Sequence, residues 1–120
     1  MIFVDVDDTL VLYTAIAKIH PYGILHGEPY EPNRKLIEWL KRQNDRIIIW
    51  SGGGKEYARQ AAKELLIPES IRCMLGSKFE DFSQIKAGDT VIDDQQEYFI
   101  TMKEFGVRIL SPHENWDNIK

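Results

Sequence analysis

The sequence predicts an α/β protein, an open parallel sheet with helices layered on both faces. Three observations predict it. Five short apolar runs recur along the 120 residues, as strands buried on both faces require. Helical stretches alternate with them. The residues suited to chemistry gather just after the runs, where sheets of this kind place their sites.

The first strand covers residues 2–6. Ile2, Phe3 and Val4 are apolar, and polarity then flips to Asp5, Asp7, Asp8 and Thr9. Strand alternation directs Asp5 and Asp7 to one side of the backbone. Carboxylates crowded at the mouth of a buried strand repel, and a divalent cation is the usual offset. Residues 11–32 have no single period and are punctuated by Pro21, Gly23, Gly27, Pro29 and Pro32. They read as a long loop insert with one short helix near Thr14–Ile19. His20 and His26 lack the spacing of metal ligands and read as loop residues.

The first full helix spans 33–44, with Leu36, Ile37 and Leu40 as its apolar stripe. Strand two, Arg46–Trp50, runs into Ser51-Gly52-Gly53-Gly54. A helix follows from Lys55 to Leu66, with Ala58, Ala61, Ala62 and Leu65 inward and Pro68 beyond its end. Strand three is Ile71–Leu75, ending in Gly76-Ser77-Lys78. A short helix or turn covers Phe79–Lys86, and Gly88-Asp89 leads into strand four, Thr90–Ile92. Asp93-Asp94 follow, then a helix over Gln95–Phe105 with Phe99 and Met102 inward and Gly106 as its terminator. Strand five is Val107–Leu110, stopped by Ser111-Pro112. No pattern is readable in His113–Lys120.

The length predicts a single domain over residues 1–120. The net charge of −4 argues against non-specific affinity for nucleic acid or membrane surfaces. Cys73 is the one cysteine, so no intrachain disulfide forms, and a reducing, cytoplasmic setting fits. The start turns acidic at Asp5 without a basic, apolar leader, so no signal peptide is expected, and no apolar run is long enough for a membrane helix.

The residues suited to chemistry now fall at strand ends: Asp5 and Asp7 after strand one, Ser51 after two, Lys78 after three, and Asp93-Asp94 after four. In Phe3-Val-Asp-Val-Asp-Asp-Thr9, Ile49-Trp-Ser51, Lys78 and Val91-Ile-Asp-Asp94, the chain resembles the haloacid dehalogenase superfamily of phosphohydrolases. The resemblance covers strands one to four. It implies a HAD-like, Rossmann-like three-layer fold with strand order 5-4-1-2-3. It also implies a Mg²⁺-dependent phosphatase working through an aspartyl phosphate. Asp5 is the implied nucleophile and Asp7 the acid and base. Ser51 and the Gly52 N–H hold the phosphoryl oxygens, and Lys78, with Lys86 as the alternative, neutralises charge. The Asp5 carboxylate, the Asp7 backbone carbonyl and Asp94 are the implied ligands of Mg²⁺, with Thr9 and Asp93 behind them. Ser51 also has a simpler reading, as the cap of the following helix.

An acid at Asp7 fits phosphatases and phosphomutases rather than carbon–halogen hydrolases. Residues 11–32 and 77–88 are too short for the cap domains of the superfamily, so no cap is expected and the site is open. The substrate is a phosphorylated compound of unspecified class, and nucleic acid would enter only through a phosphorylated end. The alternative is a catalytically inactive HAD-like protein that binds a phosphate ligand.

Overall fold

A computed structural model describes residues 1–70 and 73–120. The strands are β1 (Ile2–Asp5), β2 (Val11–Tyr13), β3 (Tyr30–Pro32), β4 (Ile47–Ser51), β5 (Cys73–Ser77), β6 (Thr90–Ile92) and β7 (Arg108–Leu110). The α-helices are α1 (Arg34–Lys41), α2 (Lys55–Glu64) and the single turn α3 (Lys78–Asp81). Short 3₁₀ helices cover Gly23–His26, Phe82–Gln84, Gln96–Tyr98 and Ile100–Phe105. The expected third strand began at Ile71; Ile71 and Arg72 lie outside the described residues, and β5 runs on to Ser77.

Five strands form one parallel sheet in the order β5-β4-β1-β6-β7. Numbered over all seven strands this is not 5-4-1-2-3. The second and third strands of the chain, β2 and β3, lie in what reads as a loop insert and pair only with each other, antiparallel. With that hairpin set aside, the order from β7 to β5 is fifth, fourth, first, second, third along the chain. The central strand is β1, between β4 and β6, and the order of the chain reverses there. Such a reversal opens a crevice beyond the carboxyl ends of the strands.

Side-chain alternation divides the core in two. Ile2, Val4, Ile47, Ile49 and Ile92 face one side, together with Leu36 and Trp39 of α1 and Ala58 and Ala61 of α2. Phe3, Ile48, Trp50, Val91 and Ile109 face the other, with Phe99 against them. The α1 and α2 helices therefore share one face. The opposite face, where the sequence predicts a helix over Gln95–Phe105, is covered by 3₁₀ pieces. The two residues that pack there, Phe99 and Met102, are three apart, the repeat of a 3₁₀ turn. Ile100 and Thr101 are β-branched and add little helix propensity. Gly106 does terminate the segment, at φ +85°.

Residues 14–19 form bends, not the expected short helix, and the one helical turn of the insert is Gly23–His26. The α1 cap reaches further than a local turn. The Asn33 Oδ1 accepts the Leu36 N–H, while its Nδ2 donates to the Thr9 and Pro112 carbonyls, each at 2.9 Å. One buried amide so joins the turn after β1, the start of α1 and the final segment. That final segment carries the buried Trp116, whose ring centroid lies 5.0 Å from that of Trp39. No helix among the described residues is long and apolar enough to cross a membrane.

Candidate active site

The site begins where β1 ends. Beyond Asp5 the backbone wraps around one carbonyl: the Thr9, Leu10 and Val11 N–H groups all donate to the Val6 oxygen. Asp8 turns the chain at φ +60°, a left-handed conformation that aspartate tolerates better than most residues. Because the strand stops at Asp5, strand alternation does not carry through to Asp7. The two carboxylates take different partners.

Asp5 is bound into a charge cluster. Lys78 Nζ lies 2.9 Å from Asp5 Oδ1 and 2.9 Å from Asp93 Oδ2. The Thr9 hydroxyl lies 3.3 Å from Asp5 Oδ2 and 3.5 Å from Asp94 Oδ1, and its one proton serves either. Asp93 is fully buried; its Oδ1 accepts the Gln95 N–H at 2.8 Å. Its Oδ2 has no well-directed hydrogen bond and depends on the Lys78 charge. Burial, reinforced by Asp93, holds the Asp5 carboxyl well above the usual range, against the pull of Lys78. Burial likewise raises Asp93 to about 6, again opposed by Lys78. For Lys78, burial disfavours the charge, but Asp5 and Asp93 outweigh it and the net shift is upward.

Lys78 opens α3, and Asp81 fixes it there. The Asp81 Oδ2 accepts the Ser77 N–H at 2.8 Å, and a Cβ on Gly76 would come within 2.8 Å of the same oxygen. Lys86 is exposed and lies on the loop before β6, where its backbone N–H donates to Asp89. Of the two candidate lysines, Lys78 reaches the carboxylates.

Asp7 stands apart. Both the Tyr13 and the Tyr57 hydroxyls donate to its Oδ1, the latter at 2.8 Å. Its Oδ2 is left without either. Burial raises the Asp7 carboxyl, and the two tyrosines counter only part of that rise. The tyrosine pair is the feature that the sequence did not disclose. Its signal was present: Tyr57 precedes Ala58 on the inner face of α2, and a buried phenol needs a hydrogen-bond partner. Asp8 pairs with Lys18, which the turn at Asp8 brings over from the insert.

Ser51 ends β4 and is buried. Its Oγ accepts the Gly53 N–H at 3.0 Å, whereas the cap of α2 is Gly54 at φ +102° without a side-chain bond. Ser51 therefore stiffens the glycine loop and does not cap the helix. A Cβ on Gly52 would meet the Tyr22 hydroxyl at 3.1 Å and Phe79 at 3.3 Å. Glycine lets both aromatics close over the loop.

Asp5, Asp7, Ser51, Gly52, Lys78 and Asp94 all line one cavity of about 420 Å³. Thr9 and Asp93 stand behind its wall. His20 and His26 do not line it; they stack on each other with centroids 3.7 Å apart. Among the described residues, carboxylate oxygens of Asp5, Asp93 and Asp94 lie within 4.8 Å of one another. Three carboxylates against the single Lys78 ammonium leave an excess of negative charge, and an all-oxygen donor set suits a hard divalent cation such as Mg²⁺. The donor set thus fits a hard divalent cation, without selecting one. It includes Asp93, expected behind the ligands, and not the Asp7 side chain, whose expected part was its backbone carbonyl. No family model, curated protein or solved structure matches the chain.

Proposed function

We propose that the chain is a capless member of the haloacid dehalogenase superfamily and a Mg²⁺-dependent phosphatase acting on phosphomonoesters. The observation that supports this most is the meeting of Asp5, Ser51, Lys78 and Asp94, from the ends of four adjacent strands, in one cavity. Asp5, Asp94 and Asp93 would hold the ion, with the Asp7 carbonyl. When bound, it would shield the approach of a carboxylate to a phosphate dianion.

A carboxylate oxygen of Asp5 attacks phosphorus. The new P–O bond forms as the ester P–O bond breaks, and the leaving oxygen takes a proton from Asp7. Asp7 is suited to this. Burial raises its pKa, and the two tyrosines occupy Oδ1, which leaves Oδ2 as the oxygen that would give up and take back the proton. Lys78 holds Asp5 in place and faces the charge that builds on the phosphoryl oxygens. Ser51 and the Gly52 N–H are at hand for the remaining oxygens. In the second half, water attacks phosphorus, Asp7 takes its proton, and the bond to Asp5 breaks to release phosphate.

The experiment is hydrolysis of p-nitrophenyl phosphate with Mg²⁺ or chelator. Asp5→Asn should abolish turnover, since an amide is a poor nucleophile. Asp7→Asn should slow it severely while accumulating a phosphoprotein that the double variant lacks. Substantial turnover by Asp5→Asn would overturn the covalent route. Absence of turnover by the wild type under all metal conditions would leave a phosphate-binding protein.

A further inference from the structure

The cavity is larger than a phosphoryl group needs, and its outer wall has a distinct chemistry. Away from the carboxylates it is built from Tyr22, Phe79, Phe82, Tyr98 and Phe99. Phe79 and Tyr98 are 78% and 64% exposed, so their rings have no full partner within the fold. An aromatic side chain left in water forgoes much of its burial free energy, and two on one rim next to a cavity call for an occupant. The wall is also stiff. Phe82 stacks on Phe99 at 5.5 Å and Phe99 on Trp50 at 6.4 Å, while Tyr22 leans on Tyr57 at 5.3 Å.

Besides the Tyr22 and Tyr98 hydroxyls, this wall has few polar groups that would read the hydroxyls of a sugar. Lys18 is engaged by Asp8, leaving Gln95 as the free side-chain amide. Flat π faces with few directed donors favour a flat ring over a polyol. Phe79 follows Lys78 directly and lies against Gly52, so the aromatic wall starts beside the proposed phosphoryl position.

The geometry points to a leaving-group subsite in which Phe79 and Tyr98 stack on an aromatic ring of the substrate. The substrate class is then a phosphomonoester whose alcohol carries a ring, such as a nucleoside or a phenol. The inference rests on the phosphatase reading.

The test compares kcat/KM for a nucleoside 5′-monophosphate, phenyl phosphate and glycerol 2-phosphate in the wild type, Phe79→Ala, Tyr98→Ala and Phe79→Trp. The expected result is an aromatic-over-alkyl ratio that falls by about 5- to 100-fold in the alanine variants, through KM, and is retained in Phe79→Trp. Loss with the nucleotide alone identifies a nucleobase, and loss with both ring substrates a generic aryl group. Because both side chains project into solvent, the alanine variants should fold, and melting curves verify this. A wild type that hydrolyses glycerol 2-phosphate as well as the ring substrates, with a ratio unmoved by either variant, overturns the subsite and leaves the phosphatase reading standing. Calorimetric titration of Asp5→Asn with the nucleotide and with phenyl phosphate separates the converse case. Ring-dependent binding, lost on adding Phe79→Ala, in a chain whose wild type hydrolyses nothing retains the subsite and removes the enzyme. Absence of ring-dependent binding there overturns the subsite.

Discussion

Asp7 is controlled by two phenols rather than by the charges around Asp5. Each hydrogen bond from Tyr13 and Tyr57 favours the ionised carboxylate, and burial favours the protonated one. Removing a donor therefore moves the Asp7 pKa further up. Where transfer to Asp5 limits turnover, Tyr57→Phe should shift the alkaline limb of the pH–rate profile to higher pH, because Asp7 stays protonated longer. The measurement is single-turnover phosphorylation as a function of pH, and a limb that stays in place would separate Tyr57 from the proton. The four motifs were legible because each is local: a strand end followed at once by its polar residue. The tyrosine pair was not, because Tyr13 and Tyr57 reach Asp7 from a hairpin and a helix 6 and 50 positions away.

The β2–β3 hairpin shows how an insert without periodicity still organises itself. Its strands are three residues each, too short to leave a pattern in the sequence, and its loop covers the cavity with Lys18, Pro21 and Tyr22. Tyr22 and Tyr30 look equivalent in the sequence, and the fold separates them. Both pack against the same core, but Tyr22 also lies over Gly52 and Gly53 and lines the cavity, whereas Tyr30 does not line it. Tyr22→Ala should thus raise KM several-fold besides lowering stability. Tyr30→Ala should leave KM in place and lower stability by about 1–3 kcal/mol, as loss of a partly buried aromatic does. Glu28 anchors the loop by accepting the Ile19 N–H, directly beneath Gly23. A Cβ on Gly23 would collide with its Oε2, so Gly23→Ala should displace Glu28 and loosen the loop, read as a rise in KM together with faster proteolysis between residues 14 and 29.

Across the molecule, carboxylates buried at one end of the sheet tie stability to protons and, on the proposed reading, to metal. Asp5 and Asp93 bind protons more tightly folded than unfolded, Asp93 with a pKa of about 6 against an unfolded value of 3.8. The unfolded chain then holds fewer protons, so the Asp93 contribution to stability falls as pH rises from about 4 to 6 and is lost above it, and the Asp5 contribution falls in the same direction. In chelator the melting temperature should accordingly increase as pH is lowered from 7 toward 5. Mg²⁺ should act in the opposite sense with pH, giving most at neutrality, where protons no longer compete. At a hundred times its Kd it should add about 2.7 kcal/mol, roughly 10 °C for a chain of this size. Asp94→Asn should blunt that gain, and NaCl at equal ionic strength should not reproduce it.

The uneven dressing of the sheet has a kinetic consequence. One face carries α1 and α2, with continuous ladders of backbone bonds; the other carries 3₁₀ turns over residues 96–105 with few. Segments held by fewer bonds open at lower free energy. Amide exchange should thus be fastest over 96–105 among these covering elements and far slower in β1, β4 and β6, and an opening would move the exposed Tyr98 at the rim while Phe99, stacked on Phe82 and Trp50 in the core, and the strand ends that carry Asp5, Ser51 and Lys78 stay in place. The entrance would breathe while the strand ends stay still, so on the phosphatase reading a bulky phosphate ester could be admitted without the chain unfolding to receive it.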